Sequence, residues 1–141
     1  MSKSNEGQAE VVQQIVKMLT TSANEQGDAA LSDLEISVLS PYSKQVKLIK
    51  TMLSSIPCFT IDSFQGRESD IIIFSMVRKN VDKDIGFVDD PRRLNVMWTR
   101  AKLALIMVGD RETMTANPLW KRAIESCTPV TVILPEVVVP K

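Results

Sequence analysis

Residues 60–80 read TIDSFQGRESDIIIFSMVRKN. The stretch DIIIFSMV at 70–77 is a nearly continuous apolar run. A strand with one wet face alternates apolar and polar residues, whereas an unbroken run of this length suits a strand covered on both faces of a parallel sheet. Ahead of it stands a polar knot, SFQGRES, which interrupts the core-forming segments with a glutamine, an arginine and a glutamate. Gly66 lets backbone approach a ligand closely. Gln65 can donate and accept, and Glu68 can accept from a hydroxyl. A tight connection whose polar groups satisfy their own backbone would use the same residues, and spacing alone does not choose between the two.

Outward from the knot, strands and helices alternate. Val11, Val12, Ile15, Val16 and Leu19 recur at helical spacing and predict an amphipathic helix over residues 8–20. The small, polar residues after it read as an exposed loop, with 21–33 flexible. EISVL at 35–39 is a short buried strand that exits at Ser40 and Pro41. Apolar residues at 46, 48, 49, 52 and 53 give a second helix over 42–54, and residues 58–61 a further short strand. LALIMV at 103–108 is expected, like 70–77, to be covered on both faces. A helix over 118–126 and the β-rich piece VTVIL precede a flexible tail at 135–141. The pattern predicts one α/β domain over residues 1–141, a parallel sheet in three layers.

Between the two apolar strands lies DPRRLNVMWTRAK. Asp90 as cap and Pro91 in the first turn start a helix there. Leu94, Met97, Trp98 and Ala101 share the face that would pack on the sheet. Arg93 and Arg100 are seven apart, so they project in similar directions about 10 Å from each other. Two arginines so fixed can grip phosphates bidentately; an exposed basic face paired with neighbouring carboxylates has the same spacing. Ligands bind open parallel sheets at the carboxyl ends of strands, which is where both polar clusters are expected.

Composition narrows the chemistry. The chain has 141 residues and a net charge of zero, enough for one domain with its own core. With no histidine, a histidine triad, general base or metal ligand is excluded within these residues. The two cysteines, Cys58 and Cys127, form no metal-type pair and read as reduced thiols of an intracellular protein, cytoplasmic or nuclear. No apolar run reaches the roughly 20 residues of a membrane span, and the first ten residues lack a signal-peptide core. Residues 1–35 hold two Lys against six acidic residues, and residues 78–111 hold eight basic residues against five Asp. That basic excess can meet phosphates or simply be solvated.

TIDSFQGRESDIIIFSMVRKN, followed by IGFVDDPRRLNVMWTRAKLALIMVGD, resembles motifs V and VI of superfamily 1 helicases, in the RNA-surveillance and senataxin-like branch that moves 5′ to 3′. ISVLSPYSKQVKLI resembles the strand, loop and helix of motif IV in that branch. SNEGQAEVVQQIV resembles the helix before it, where the family usually has NxxEA. The resemblance runs from about residue 4 to residue 125. It implies the second of two RecA-like domains, a three-layer fold like that of phosphate-loop NTPases, with ATP in the cleft between domains and a single strand crossing the top of both.

Carried over by position, the resemblance makes Arg100 the arginine finger for the γ-phosphate, with Arg93 supporting the phosphate side. Gly66 and Glu68 contact the nucleotide, and Gln65 couples nucleotide state to the strand. Ser40, Pro41, Tyr42, Thr60 and Ser63 match positions along the nucleic-acid track. There the small hydroxyls can donate to phosphates and the Tyr42 ring offers a surface for a base. Phe64, Phe74 and Trp98 stand where burial is expected. Trp98 replaces the family's small or aliphatic residue and reads as a variation of the packing face.

No GxxxxGK[ST] phosphate loop and no Walker-type acidic pair after a strand occur. ATP and Mg²⁺ would therefore need an N-terminal RecA-like domain of a parent chain, which would carry the Mg²⁺ ligands. The function implied is the C-terminal motor domain of an ATP-dependent RNA or DNA helicase, inactive alone. The alternative is a non-catalytic nucleic-acid-binding or partner-docking domain on the same fold.

Overall fold

The computed structural model describes residues 4–26, 34–77, 95, 99–109 and 118–126. Three helices, α1 (Glu6–Gln26), α2 (Ser43–Met52) and α3 (Pro118–Glu125), accompany four strands, β1 (Ile36–Ser40), β2 (Cys58–Thr60), β3 (Ser69–Ser75) and β4 (Ala101–Val108). A single 3₁₀ turn, Asp62–Phe64, follows β2. The strands are all parallel, in the order β2-β1-β3-β4. Val38 lies level with Cys58 on one side and Ile73 on the other, and Ile73 with Ile106. No helix among the described residues is long and apolar enough to cross a membrane.

Successive side chains of a strand point to opposite faces, and here both faces are covered. Val38, Ile71, Ile73 and Val108 pack against Val12, Ile15 and Val16 of α1 and Val46 and Ile49 of α2. Leu39, Ile72 and Phe74 turn the other way and meet Ile61, Phe64 and Trp120. The Trp120 and Phe74 rings stack with centroids 5.8 Å apart. The result is the expected three-layer α/β arrangement, and every residue of β3 except Asp70 is buried.

Two expectations need correction. Helix α1 continues to Gln26, through the first six residues of the stretch read as a flexible loop. Residues 21–26 are TSANEQ, with no glycine or proline, and Ala, Glu and Gln favour helix; the first breaker is Gly27. The remainder of that stretch, the start of the helix at Asp90, the VTVIL piece and the tail lie outside the described residues. Strand β4 is not covered on both faces along its length. Lys102, Leu103 and Ala104 are exposed, Leu103 by 66%, and burial is reached only toward Val108. Among the described residues β4 is an outer strand of the sheet, and its apolar run carries no sign of where cover stops.

The carboxyl end of β3 is held by side-chain amides. Val77 takes a positive φ of 75°, a conformation rare and costly for a β-branched residue. Gln8 holds it: Oε1 accepts from the Val77 N–H at 2.8 Å and Nε2 donates to the Val77 carbonyl at 3.3 Å. Oε1 also accepts from the Ser75 hydroxyl at 3.0 Å. Gln45 donates to Ser75 Oγ at 3.2 Å and pairs both ways with the Asn5 backbone, at 2.8 and 3.0 Å. Asn5 caps α1 by accepting from the Gln8 N–H at 3.0 Å and donates from Nδ2 to the Val77 carbonyl at 3.2 Å.

This cluster is buried, so losing one member strands its partners. Gln8→Met keeps the volume but leaves the Val77 N–H and the Ser75 hydroxyl unpaired. It should cost roughly 2–5 kcal/mol, at about 1–3 kcal/mol for each stranded group. Chemical denaturation checks this, and a loss below about 1 kcal/mol would show that both groups find other partners.

Cys58 gives a pH signature. Burial pushes its thiol up from 9.0 to about 11, opposed by the nearby Lys50 ammonium. The folded chain therefore keeps a proton that the unfolded chain releases. Stability should be level below pH about 9 and fall by on the order of 2 kcal/mol as pH rises toward about 11. A Cys58→Ala variant should lack that part of the alkaline slope; identical slopes for both proteins would refute it.

Candidate functional site

Because β2 and β3 both run parallel to β1, the chain leaving β2 must travel back along the sheet before β3 can start. Residues 61–68 make that return. Ile61 and Phe64 anchor it, each 1% exposed in the core beside Trp120. The Phe64 N–H donates to the Ile61 carbonyl at 3.2 Å. Residues 64–67 then form a type II turn: Gln65 has φ −56° and ψ 134°, Gly66 has φ 79°, and the Arg67 N–H closes on the Phe64 carbonyl at 3.0 Å. A Cβ at Gly66 would meet nothing within 4 Å. Glycine is required by its backbone angle, not by crowding.

The turn projects its side chains outward. Gln65, Gly66, Arg67 and Glu68 are all exposed. Among the described residues, neither Gln65 nor Glu68 has a hydrogen-bond or ion-pair partner. Arg67 folds back over the Phe59 ring, 4.9 Å from its centroid, and Phe59 in turn lies 5.3 Å from Phe64 at a tilt of 50°.

Just past the turn, the Ser69 N–H donates to the Arg100 carbonyl at 3.1 Å, and Ser69 pairs with Ala101. Arg100 and Glu68 therefore stand side by side, each one residue before its strand. Arg100 Nε is buried and has no hydrogen-bond partner. The residues leading to it are helical where described: Asn95 and Thr99 have helical backbone, and the Thr99 hydroxyl donates to the Asn95 carbonyl at 2.7 Å. Arg93 and Trp98 lie outside the described residues.

The expectation that both polar clusters gather at the carboxyl ends of strands is corrected here. Glu68 and Arg100 precede β3 and β4, so they stand at the amino edge of the sheet. Thr60 and Ser40 end β2 and β1 and pair with each other at the carboxyl edge. The two edges are about 20 Å apart, six residues of β3 at roughly 3.3 Å each. Residues preceding a strand lie at its amino end, so the sequence did hold that signal once 70–77 was read as a strand.

The carboxyl-edge residues differ from expectation in a second respect. Ser40, Pro41 and Tyr42 are buried, Tyr42 to 4% exposure, so the ring is not presented for a base to stack on. Ser40 Oγ accepts from the Tyr42 N–H at 3.3 Å, and the Ser40 carbonyl accepts from the Ile61 N–H at 3.2 Å. Thr60 and Ser63 reach solvent, but their hydroxyl protons are already used. Thr60 Oγ1 donates to Ser63 Oγ at 2.9 Å, and Ser63 Oγ donates to the Thr60 carbonyl at 3.0 Å. Thr60 Oγ1 also accepts from the Ser63 N–H at 3.2 Å, which caps the 3₁₀ turn. As donors to a phosphate these hydroxyls must first give up those bonds; as a cap they set the course of the return segment.

Comparison with known proteins gives the family. A family model described as AAA domain matches residues 1–112. The chain is 41% identical over 104 residues to "Probable helicase MAGATAMA 3" of Arabidopsis thaliana. It is 42% identical over 101 residues to "Regulator of nonsense transcripts 1" of Dictyostelium discoideum, and 37% identical over 125 residues to "Helicase sen1" of Schizosaccharomyces pombe. These alignments take in 67%, 64% and 82% of this chain but only 13%, 8% and 7% of the relatives' own lengths. The chain belongs to the AAA domain family and, within it, to the superfamily 1 helicases of the RNA-surveillance branch, as a RecA-like motor domain.

Proposed function

We propose that the chain is the second motor domain of an ATP-dependent helicase, completing a nucleotide site at its amino edge and carrying part of a single-strand track at its carboxyl edge. The observation that supports this most is the bond from the Ser69 N–H to the Arg100 carbonyl, which brings Arg100 and Glu68 to the same edge of the sheet, each one residue before its strand. Arg100 has a buried Nε with no hydrogen-bond partner, and an unsatisfied guanidinium nitrogen of this kind suits a site that a ligand or a second domain completes. Glu68, free of partners among the described residues, suits a sugar hydroxyl, and the left-handed Gly66 brings backbone to the surface beside it. The residues present thus fit a nucleotide.

ATP supplies the phosphoanhydride whose hydrolysis drives movement, with Mg²⁺ held by an N-terminal RecA-like domain of the parent chain. Arg100 serves as the arginine finger, meeting charge that builds on the γ-phosphate. Arg93 assists on the phosphate side. Gln65, at the tip of a turn whose other end is capped by Thr60 and Ser63, couples the two edges. The strand runs over Thr60 and Ser63, with Ser40, Pro41 and Tyr42 shaping the floor beneath. The name of the Dictyostelium relative, a regulator of nonsense transcripts, favours RNA as that strand.

In the parent enzyme, Arg100→Ala should lower turnover by roughly 10³–10⁵ and change ATP affinity by less than about tenfold. Steady-state kinetics with equilibrium nucleotide binding decides it. Near-normal turnover with lost strand affinity would move Arg100 to the strand-binding face.

The described carboxyl edge presents small hydroxyls and no row of exposed rings. Single strands of unrelated sequence should therefore bind alike, with affinity falling as salt rises by a log–log slope of about −0.7 per phosphate neutralised. Titration of the parent enzyme at two salt concentrations measures this. A sequence preference that survives high salt would instead support a specific-binding module.

A further inference from the structure

The type II turn that presents Gln65 and Gly66 is short, exposed and flanked by solvent on its outer side. A turn of this kind is normally held by its one backbone hydrogen bond, here from the Arg67 N–H to the Phe64 carbonyl. Two side-chain contacts are added to it. At its first residue, Phe64 is sunk in the core beside Ile61 and Trp120. At its last, Arg67 lays its guanidinium on Phe59, a residue of β2, at 4.9 Å from the ring centroid. Phe59 and Phe64 touch at 5.3 Å. The turn is therefore closed into a ring of contacts running from Arg67 to Phe59, to Phe64 and back through the backbone. Arg67 is flanked in sequence by the turn's glycine and by Glu68, which like Arg100 stands one residue before its strand.

We propose that Arg67 is a positioning residue of the nucleotide site: by stacking on Phe59 it fixes the type II turn, and so the place from which Gly66 and Glu68 meet the nucleotide. This rests on the assignment of an ATP site to the amino edge. Arg67 works through the contact its long side chain makes with the ring, not through donors to the ligand. Releasing that contact loosens the closing bond of the turn and lets the left-handed glycine and its neighbour drift. An effect of this kind weakens nucleotide binding in the ground state as much as in the transition state, and so raises KM more than it lowers kcat.

The test combines two measurements. In the parent enzyme, Arg67→Ala should raise KM for ATP about tenfold while kcat falls less than about threefold. Arg67→Met, which keeps a long side chain over the ring but no charge and no donors, should restore KM to within about threefold of the native value. Phe59→Leu should reproduce the Arg67→Ala effect, and the double variant should add nothing to either. In the 141-residue chain itself, amide exchange at Arg67 should quicken in Arg67→Ala and Phe59→Leu and stay slow in Arg67→Met.

If Arg67→Met is as damaging as Arg67→Ala while Phe59→Leu is silent, the guanidinium acts on the ligand directly and the proposal falls. Unchanged KM and unchanged exchange in Arg67→Ala would overturn it too. A parent enzyme without ATPase activity would instead defeat the assignment of the nucleotide site, and the exchange result would still decide whether Arg67 holds the turn.

Discussion

Val77 lies two residues beyond β3, a strand buried almost throughout, and is itself only 4% exposed. Its N–H and carbonyl both turn to the Gln8 carboxamide, which can donate and accept at once. A carboxylate at that place could accept from the N–H but could not return a donor to the carbonyl. The amide does both, and so holds a β-branched residue at a φ of 75°. The rest of the sheet depends on this closure. Gln8 is fixed by the α1 cap, Ser75 by Gln45 of α2, and Asn5 by both, so the starts of two helices and the exit of the central strand are one hydrogen-bonded unit. With that unit in place, α1 and α2 can lie on one face while Trp120 and Phe64 fill the other.

The amino end of β3 is tied differently. Ser69 joins Arg100 through backbone and Glu35 through its hydroxyl at 3.0 Å, and Asp70 accepts from the Glu35 N–H at 2.8 Å. A helix is not needed there, and the knot is left free to face outward. The domain thus has one end built for rigidity, with amides buried among apolar side chains, and one end built for presentation. The return segment connects them. Its cap, Thr60 with Ser63, belongs to the carboxyl edge, and its turn belongs to the amino edge. It spans about 20 Å in eight residues and is pinned at Ile61 and Phe64, each 1% exposed.

Much of this was legible in the residues. The unbroken apolar run at 70–77 gave a strand buried on both faces, and the helical spacing of Val11, Val12, Ile15 and Val16 gave the face of α1 that meets it. Motif resemblance added the family. Other features depend on contacts between distant segments and leave little local trace. Nothing near Tyr42 says its ring is buried, and nothing near Leu103 says helical cover stops short of it. The hydroxyls of Thr60 and Ser63 looked like donors because their type is visible in sequence and their partners are not. Gln8 and Gln45 were missed although a signal existed: each lies on the apolar stripe of its helix, Gln8 four residues before Val12 and Gln45 four before Ile49. A polar amide on a core-facing stripe asks for buried partners.

The amide clamp also orders events in time. Gln8 and Val77 are 69 residues apart in the chain, and Asn5 and Gln45 are 40 apart. Contacts of such separation are slow to close. During synthesis, at roughly 5–20 residues per second, α1 is made several seconds before the strand whose end its first turn must grip. For that interval the Gln8 carboxamide lacks Val77 and Ser75, while the apolar face of α1 can already meet Val38, Val46 and Ile49. Helix α1 is thus made before α2 and the four strands yet is locked only when the last residues of the central segment arrive.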